Sequence, residues 1–72
     1  MKRYSLYNVA KKYVEIIDAI ENSDDKDLLV ALEENRVIWH NRLIETLKRE
    51  GIFFKDRDHV TRLAYRIAER EL

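Results

Sequence analysis

From Leu28 to Leu47 the chain runs for twenty residues without a glycine or a proline, its apolar side chains recur every three or four positions, and the only tryptophan, Trp39, sits among them. That spacing with no backbone breaker leaves one long helix as the expected structure. Its limits are marked by residue type. Ser23 or Asp24 in the polar cluster Asn22-Ser23-Asp24-Asp25 can cap the start, with Asp25 and Asp27 in the first turn at the positive end of the helix dipole. Lys48 and Arg49 suit the last turn, and Gly51, the only glycine, ends it. The expected helix covers residues 25–50, about 39 Å at about 1.5 Å per residue.

At about 100° per residue, Leu28, Leu29, Leu32, Trp39, Leu43 and Leu47 share an arc that Val30, Val37 and Ile44 widen to about 200°. One neighbouring helix cannot cover so much. The arc predicts a spine on which two other helices lean, with any remainder available to a second subunit.

Those two helices can be read on either side. Ser5 is a candidate N-cap for a helix over residues 5–22 whose stripe is Leu6, Val9, Ala10, Tyr13, Ile16, Ile17 and Ile20, bordered by Tyr4, Tyr7 and Val14. The short polar turn after it makes the first two helices antiparallel neighbours. Beyond Gly51, Ile52-Phe53-Phe54 is expected to fold back over the end of the bundle, because exposed phenylalanine is unfavourable. Asp56 or Asp58 then caps a helix over residues 57–71, with Val60, Leu63, Ala64, Ile67 and Ala68 inward and Arg62, Arg66 and Arg70 outward. The fold class is therefore all-α: a three-helix bundle with a long central helix, in one domain spanning residues 1–72.

At 72 residues, a single core only narrowly outweighs the entropy lost on folding, so help from a partner or a second copy, as a homodimer, is plausible. The absence of cysteine removes disulfides and thiolate metal sites. No apolar run approaches the roughly 18 residues of a membrane span, and the opening Met1-Lys2-Arg3-Tyr4-Ser5 leads into a charged amphipathic segment, so no membrane association and a cytoplasmic location are expected. Formal net charge is zero, unlike a non-specific nucleic-acid binder. The charge is unevenly spread: residues 15–34 carry eight acids against Lys26, and residues 35–72 carry nine bases against six acids. Such polarity favours a complementary partner or head-to-tail contact, or serves only as a solvated face.

Three clusters are candidates for function. Arg36 falls within the apolar arc with Glu33 and His40 one turn away on either side, rimmed by Trp39 and Leu43; arginine beside an aromatic ring is the mixture enriched at interface hot spots. The alternative is an internal pair of Arg36 with Glu33, or with an acid of the first helix, and a Trp39 that simply belongs to the core. Arg62, Arg66 and Arg70 can track phosphates as a nucleic-acid-binding stripe, or form a solvated face. His40 and His59 are the only histidines and lie in no metal-binding spacing. Ser5 and Ser23 are explained by capping, so neither catalysis nor any cofactor is expected.

The segment Ala31-Leu32-Glu33-Glu34-Asn35-Arg36-Val37-Ile38-Trp39 resembles the A-L-x-x-N-R-x-L-W pattern of the FlaF family, small helical regulators of flagellin production, and Leu63-Ala64-Tyr65-Arg66-Ile67 resembles that family's last helix. The resemblance implies an all-helical, non-enzymatic regulator or adaptor in flagellar biosynthesis, with flagellin or a flagellar regulator as partner, and it carries over to Asn35, Arg36 and Trp39. The opening from Leu6-Tyr7 to Ile16-Ile17 is similar to the start of a helical siphovirus protein family, which implies a phage-derived chain. The expected function is protein–protein binding through Asn35, Arg36, Trp39, His40 and Leu43; the alternative is nucleic-acid binding through the last-helix arginines.

Overall fold

The computed structural model describes residues 5–70, without the side chain of Arg70. Three helices account for most of it: α1 Leu6–Glu21, α2 Lys26–Arg49 and α3 Arg57–Arg70, with no strand among the described residues. This is the expected all-α three-helix bundle, with each helix within a residue of its expected limits. Tyr4 and the expected last residue of the third helix, Glu71, lie outside the described residues.

The helix starts follow the local chemistry. Ser5 accepts a hydrogen bond from the Asn8 amide at 3.1 Å, and the Asp56 carboxylate accepts one from the His59 amide at 2.9 Å; each satisfies an N–H that a first turn leaves without a partner. The middle helix is capped by Asp25 itself, whose side chain accepts from the amides of Asp27 at 2.9 Å and Leu28 at 3.3 Å. Ser23 and Asp24 are therefore not the cap. Ser23 instead sits one step back, its hydroxyl accepting from the Asp25 amide at 3.3 Å.

The end of α2 is a Schellman turn. Gly51 adopts φ 72°, the left-handed region, its amide donates to the Lys48 carbonyl at 3.1 Å, and the Ile52 amide reaches back to the Leu47 carbonyl at 2.9 Å. The Ile52 side chain packs against the core that contains Leu47, the hydrophobic contact usual in this motif. The extended chain after it alternates sides. Ile52 and Phe54 turn inward, whereas Phe53 is 79 % exposed, so only two of the three residues expected to fold back do so.

The core consists of Val9, Ala10, Tyr13, Leu43, Leu47, Val60 and Ala64, all but fully buried. Three of these come from α1 and two from each of the others, and the packing is centred on α1. It lies along α2 and along α3, while α2 and α3 touch each other only marginally. The expectation that α2 is the spine is thus corrected: α2 is the longest helix, but α1 is the one that both neighbours cover. The burial pattern gives the reason: α1 buries Val9, Ala10, Tyr13 and Ile16 through the middle of its length, and small residues such as Ala10 and Ala64 in the shared core permit close packing. The buried residues of α2, His40, Leu43, Thr46 and Leu47, are confined to its second half.

Candidate protein-binding surface

Helical phase divides the five residues expected to form one binding spot. Arg36, His40 and Leu43 recur at intervals of four and three and point toward α1; Trp39, four residues before Leu43, lies half-buried at the edge of that face, and Asn35, a turn before it, is exposed. Leu43 is fully buried and His40 nearly so. Neither offers a side chain to a partner in this structure, and both are reassigned from the surface to the core.

Arg36 occupies the border between these faces. Its Nε donates to Glu33 Oε1 at 2.7 Å, within one turn of α2. That hydrogen bond pushes the arginine pKa up, partial burial opposes it, and the Glu33 charge and the Tyr13 hydroxyl add to the rise. The internal pairing weighed as the alternative is therefore present, and Arg36 keeps its charge in a position that also reaches Tyr13.

His40 lies against Tyr13, with ring centroids 5.6 Å apart and planes tilted by 53°. Its Nε2 is buried and has no hydrogen-bond partner among the described residues. Burial, then the positive charges of Arg57 and Arg36, push its pKa below 6.5. It is a neutral wedge between helices. Nearby, the Tyr13 hydroxyl and Thr61 Oγ1 are 3.4 Å apart, and the Tyr65 hydroxyl donates to Asp18 Oδ1 at 3.1 Å, two polar ties between α1 and α3. Burial against α1, the Asp18 hydrogen bond and the charges of Asp18 and Glu21 push the Tyr65 pKa up to about 12.

What remains outward on α2 is a patch. Leu28 and Ile38 are 49 % and 48 % exposed, Ala31 and Asn35 lie between them, and Trp39 is half-buried at the edge of the core. Arg42 lays its guanidinium 5.0 Å from the Trp39 ring centroid, a cation–π contact that fixes a flat, amphipathic platform. Leu28, Ile38 and Arg42 were not singled out as binding residues from the sequence. The signal was available: helical phase groups them with Asn35 and Trp39. Comparisons with protein families, curated proteins and solved structures find no match.

Elsewhere the surface is less suited to a defined ligand. Arg62 and Arg66, both exposed, line an open concavity of about 560 Å³ with His59 and Glu69, so a carboxylate shares the space with the two cations. His59 Nδ1 accepts the Lys55 amide at 2.9 Å and so supports the start of α3. The side chain of Arg70, the third member of the expected stripe, lies outside the described residues. Among the described residues no group of three or more His, Cys, Asp or Glu side chains could hold a metal ion, and no helix is long and apolar enough to cross a membrane.

Proposed function

We propose that this chain is a small cytoplasmic, non-enzymatic adaptor or regulator that acts by binding another protein through the outward face of α2: Leu28, Ala31, Asn35, Ile38, Trp39 and Arg42. The observation that carries the reading is the pairing of two half-exposed large aliphatic side chains, Leu28 and Ile38, with the stacked Trp39–Arg42 platform. Apolar surface grouped in this way and anchored by tryptophan and arginine is the composition of an interface centre, not of a solvated helix. Asn35 supplies an exposed amide at the middle of the patch. The resemblance at residues 31–39 makes flagellin the first partner to try.

The test is calorimetric titration of purified flagellin into wild type, Ile38→Asp and Trp39→Ala, with circular dichroism to establish that each variant keeps its helices. Saturable binding by wild type that falls at least tenfold in both variants is the expected result. Binding that both variants retain in full would remove this face from the function, and no binding by wild type would remove flagellin as the partner.

A second reading rests on Arg62 and Arg66, which stand exposed one turn apart on α3 and border the same concavity. It makes the chain a nucleic-acid binder that contacts phosphates through that helix. Retention on DNA or RNA at low salt, lost in an Arg62→Ala/Arg66→Ala double variant, is the result that reading requires.

A further inference from the structure

A second exposed apolar row runs along α2 on the side turned away from Trp39. Val30 is 62 % exposed and Val37 49 % exposed, and Ile44, half-buried, continues the row one heptad further on. Among the described residues neither α1 nor α3 covers the two valines. Beside this row lies a polar one with the same spacing: Asp27, Glu34, Asn41 and Lys48, all exposed. Two parallel rows at seven-residue intervals form the kind of narrow seam along which helices pair.

The polar row tells which occupant fits. It passes from acid at Asp27 and Glu34 through neutral Asn41 to base at Lys48. A helix carrying the same row in the opposite direction meets it acid against base at the ends and acid against amide between them. In an antiparallel pair with Val37 at the two-fold axis, Val30 of one copy meets Ile44 of the other. Asp27 then faces Lys48 of the second copy, and Glu34 faces Asn41. A parallel pair would set Asp27 against Asp27 and Glu34 against Glu34. Lys26 is the one base in the acidic half, and it is flanked by Asp24, Asp25 and Asp27.

We infer that two copies of this chain associate through an antiparallel α2–α2 contact centred on Val37. The dimer is isologous, with the same patch used twice, and it leaves Leu28 and Trp39 of each copy on the outside while Ile38 borders the seam. It does not rest on the partner-binding face proposed above, since the valine row lies on the side of the helix opposite Trp39, with Ile38 at the border beside Glu34. Burying only three aliphatic positions per copy gives a modest interface, so dissociation on dilution is part of the inference.

The chain has no native cysteine, so disulfide trapping reads the geometry directly. Glu34→Cys mixed with Asn41→Cys cross-links into a mixed dimer if the pair is antiparallel, whereas Glu34→Cys alone cross-links if it is parallel. Sedimentation equilibrium from about ten to several hundred micromolar is expected to show wild type passing from monomer to dimer. Val37→Asp, which brings two like charges to the axis, is expected to remain a monomer with unchanged helical circular dichroism. Wild type that stays monomeric at every concentration, or that dimerises with Glu34→Cys trapping itself in preference to Asn41→Cys, overturns the inference. If Val37→Asp loses its helices, the mixed cysteine pair decides the matter alone, since it leaves the valine row intact.

Discussion

Gly51 holds φ at 72°, and a Cβ built there would meet no atom within 4 Å. Replacing it with alanine therefore introduces no clash with the rest of the molecule, and the whole penalty comes from the left-handed backbone itself. That conformation costs an L-residue about 1–2 kcal/mol. Alanine also restricts the unfolded chain, which returns about 0.4–1 kcal/mol, so a net loss of about 1 kcal/mol is expected. A domain of this size has a total stability of about 4–11 kcal/mol at typical per-residue values, so the loss is a tenth to a quarter of what holds it folded. The midpoint of urea unfolding, followed by helical circular dichroism, should fall with an unchanged slope, and Tm should drop by about 4–8 °C. Gly51→Asn should lie between glycine and alanine, because its side chain tolerates the same region better. A chemically synthesised chain with D-alanine at position 51, whose backbone preference is mirrored, should match or exceed the wild type. Equal midpoints for glycine and L-alanine, or equal losses for L- and D-alanine, would refute this account of how α2 ends.

Three further perturbations read other parts of the structure. His40 has a folded-state pKa pushed below 6.5 by burial and by Arg57 and Arg36, so on acidification the unfolded chain takes up the proton first; stability should be full above about pH 6.5 and decline as pH falls toward the folded pKa, at no more than about 1.4 kcal/mol per pH unit. His40→Leu should flatten that part of the profile, and an unchanged slope in urea melts at pH 7.5, 6.5 and 5.5 would contradict it. Tyr65, whose pKa is pushed up to about 12 by burial and its hydrogen bond to Asp18, should ionise well above the ordinary tyrosine value of 10.0 in an ultraviolet titration; in Tyr65→Phe the step near pH 12 should vanish, and its persistence would assign it elsewhere. Asp56→Ala removes the acceptor for the His59 amide and should cost about 0.5–2 kcal/mol in thermal or urea melts, whereas Asp58→Ala, outside the cap, should not.

Which parts of this architecture could be read in advance follows from the range of the forces involved. Helix limits and the cap at Ser5 depend on residues three or four apart, and the chain states them directly; for the last helix it offers Asp56 and Asp58, and the structure uses Asp56. The cap of α2 was harder because Ser23, Asp24 and Asp25 can each accept an amide; only the backbone path chooses Asp25. The centre of packing was not legible from amphipathic width. Counting apolar residues made α2 the spine, but Leu28, Val30 and Val37, a third of its arc, are left outside. The α1 helix prevails because its buried residues, Val9, Ala10, Tyr13 and Ile16, run through the middle of its length, and one of them is an alanine that adds little to any count of greasy surface. For the proposed binding face, adjacency in the chain gathered His40 and Leu43, which are buried, with Asn35, which is exposed, although a helix sends these two sets to different sides. Phe53 and Phe54 were separated for the same reason, by the alternation of extended chain.

The marginal contact between α2 and α3 bears on how the molecule comes apart and together. With only a slight hold on α2, the last helix can peel from the first while the α1–α2 hairpin keeps its own seam, so amide exchange in α3 is expected to proceed through a partial opening that leaves the other two protected. On the ribosome the order is reversed. The hairpin has all its sequence available before α3 emerges, and α3 docks onto a platform that α1 has already laid down.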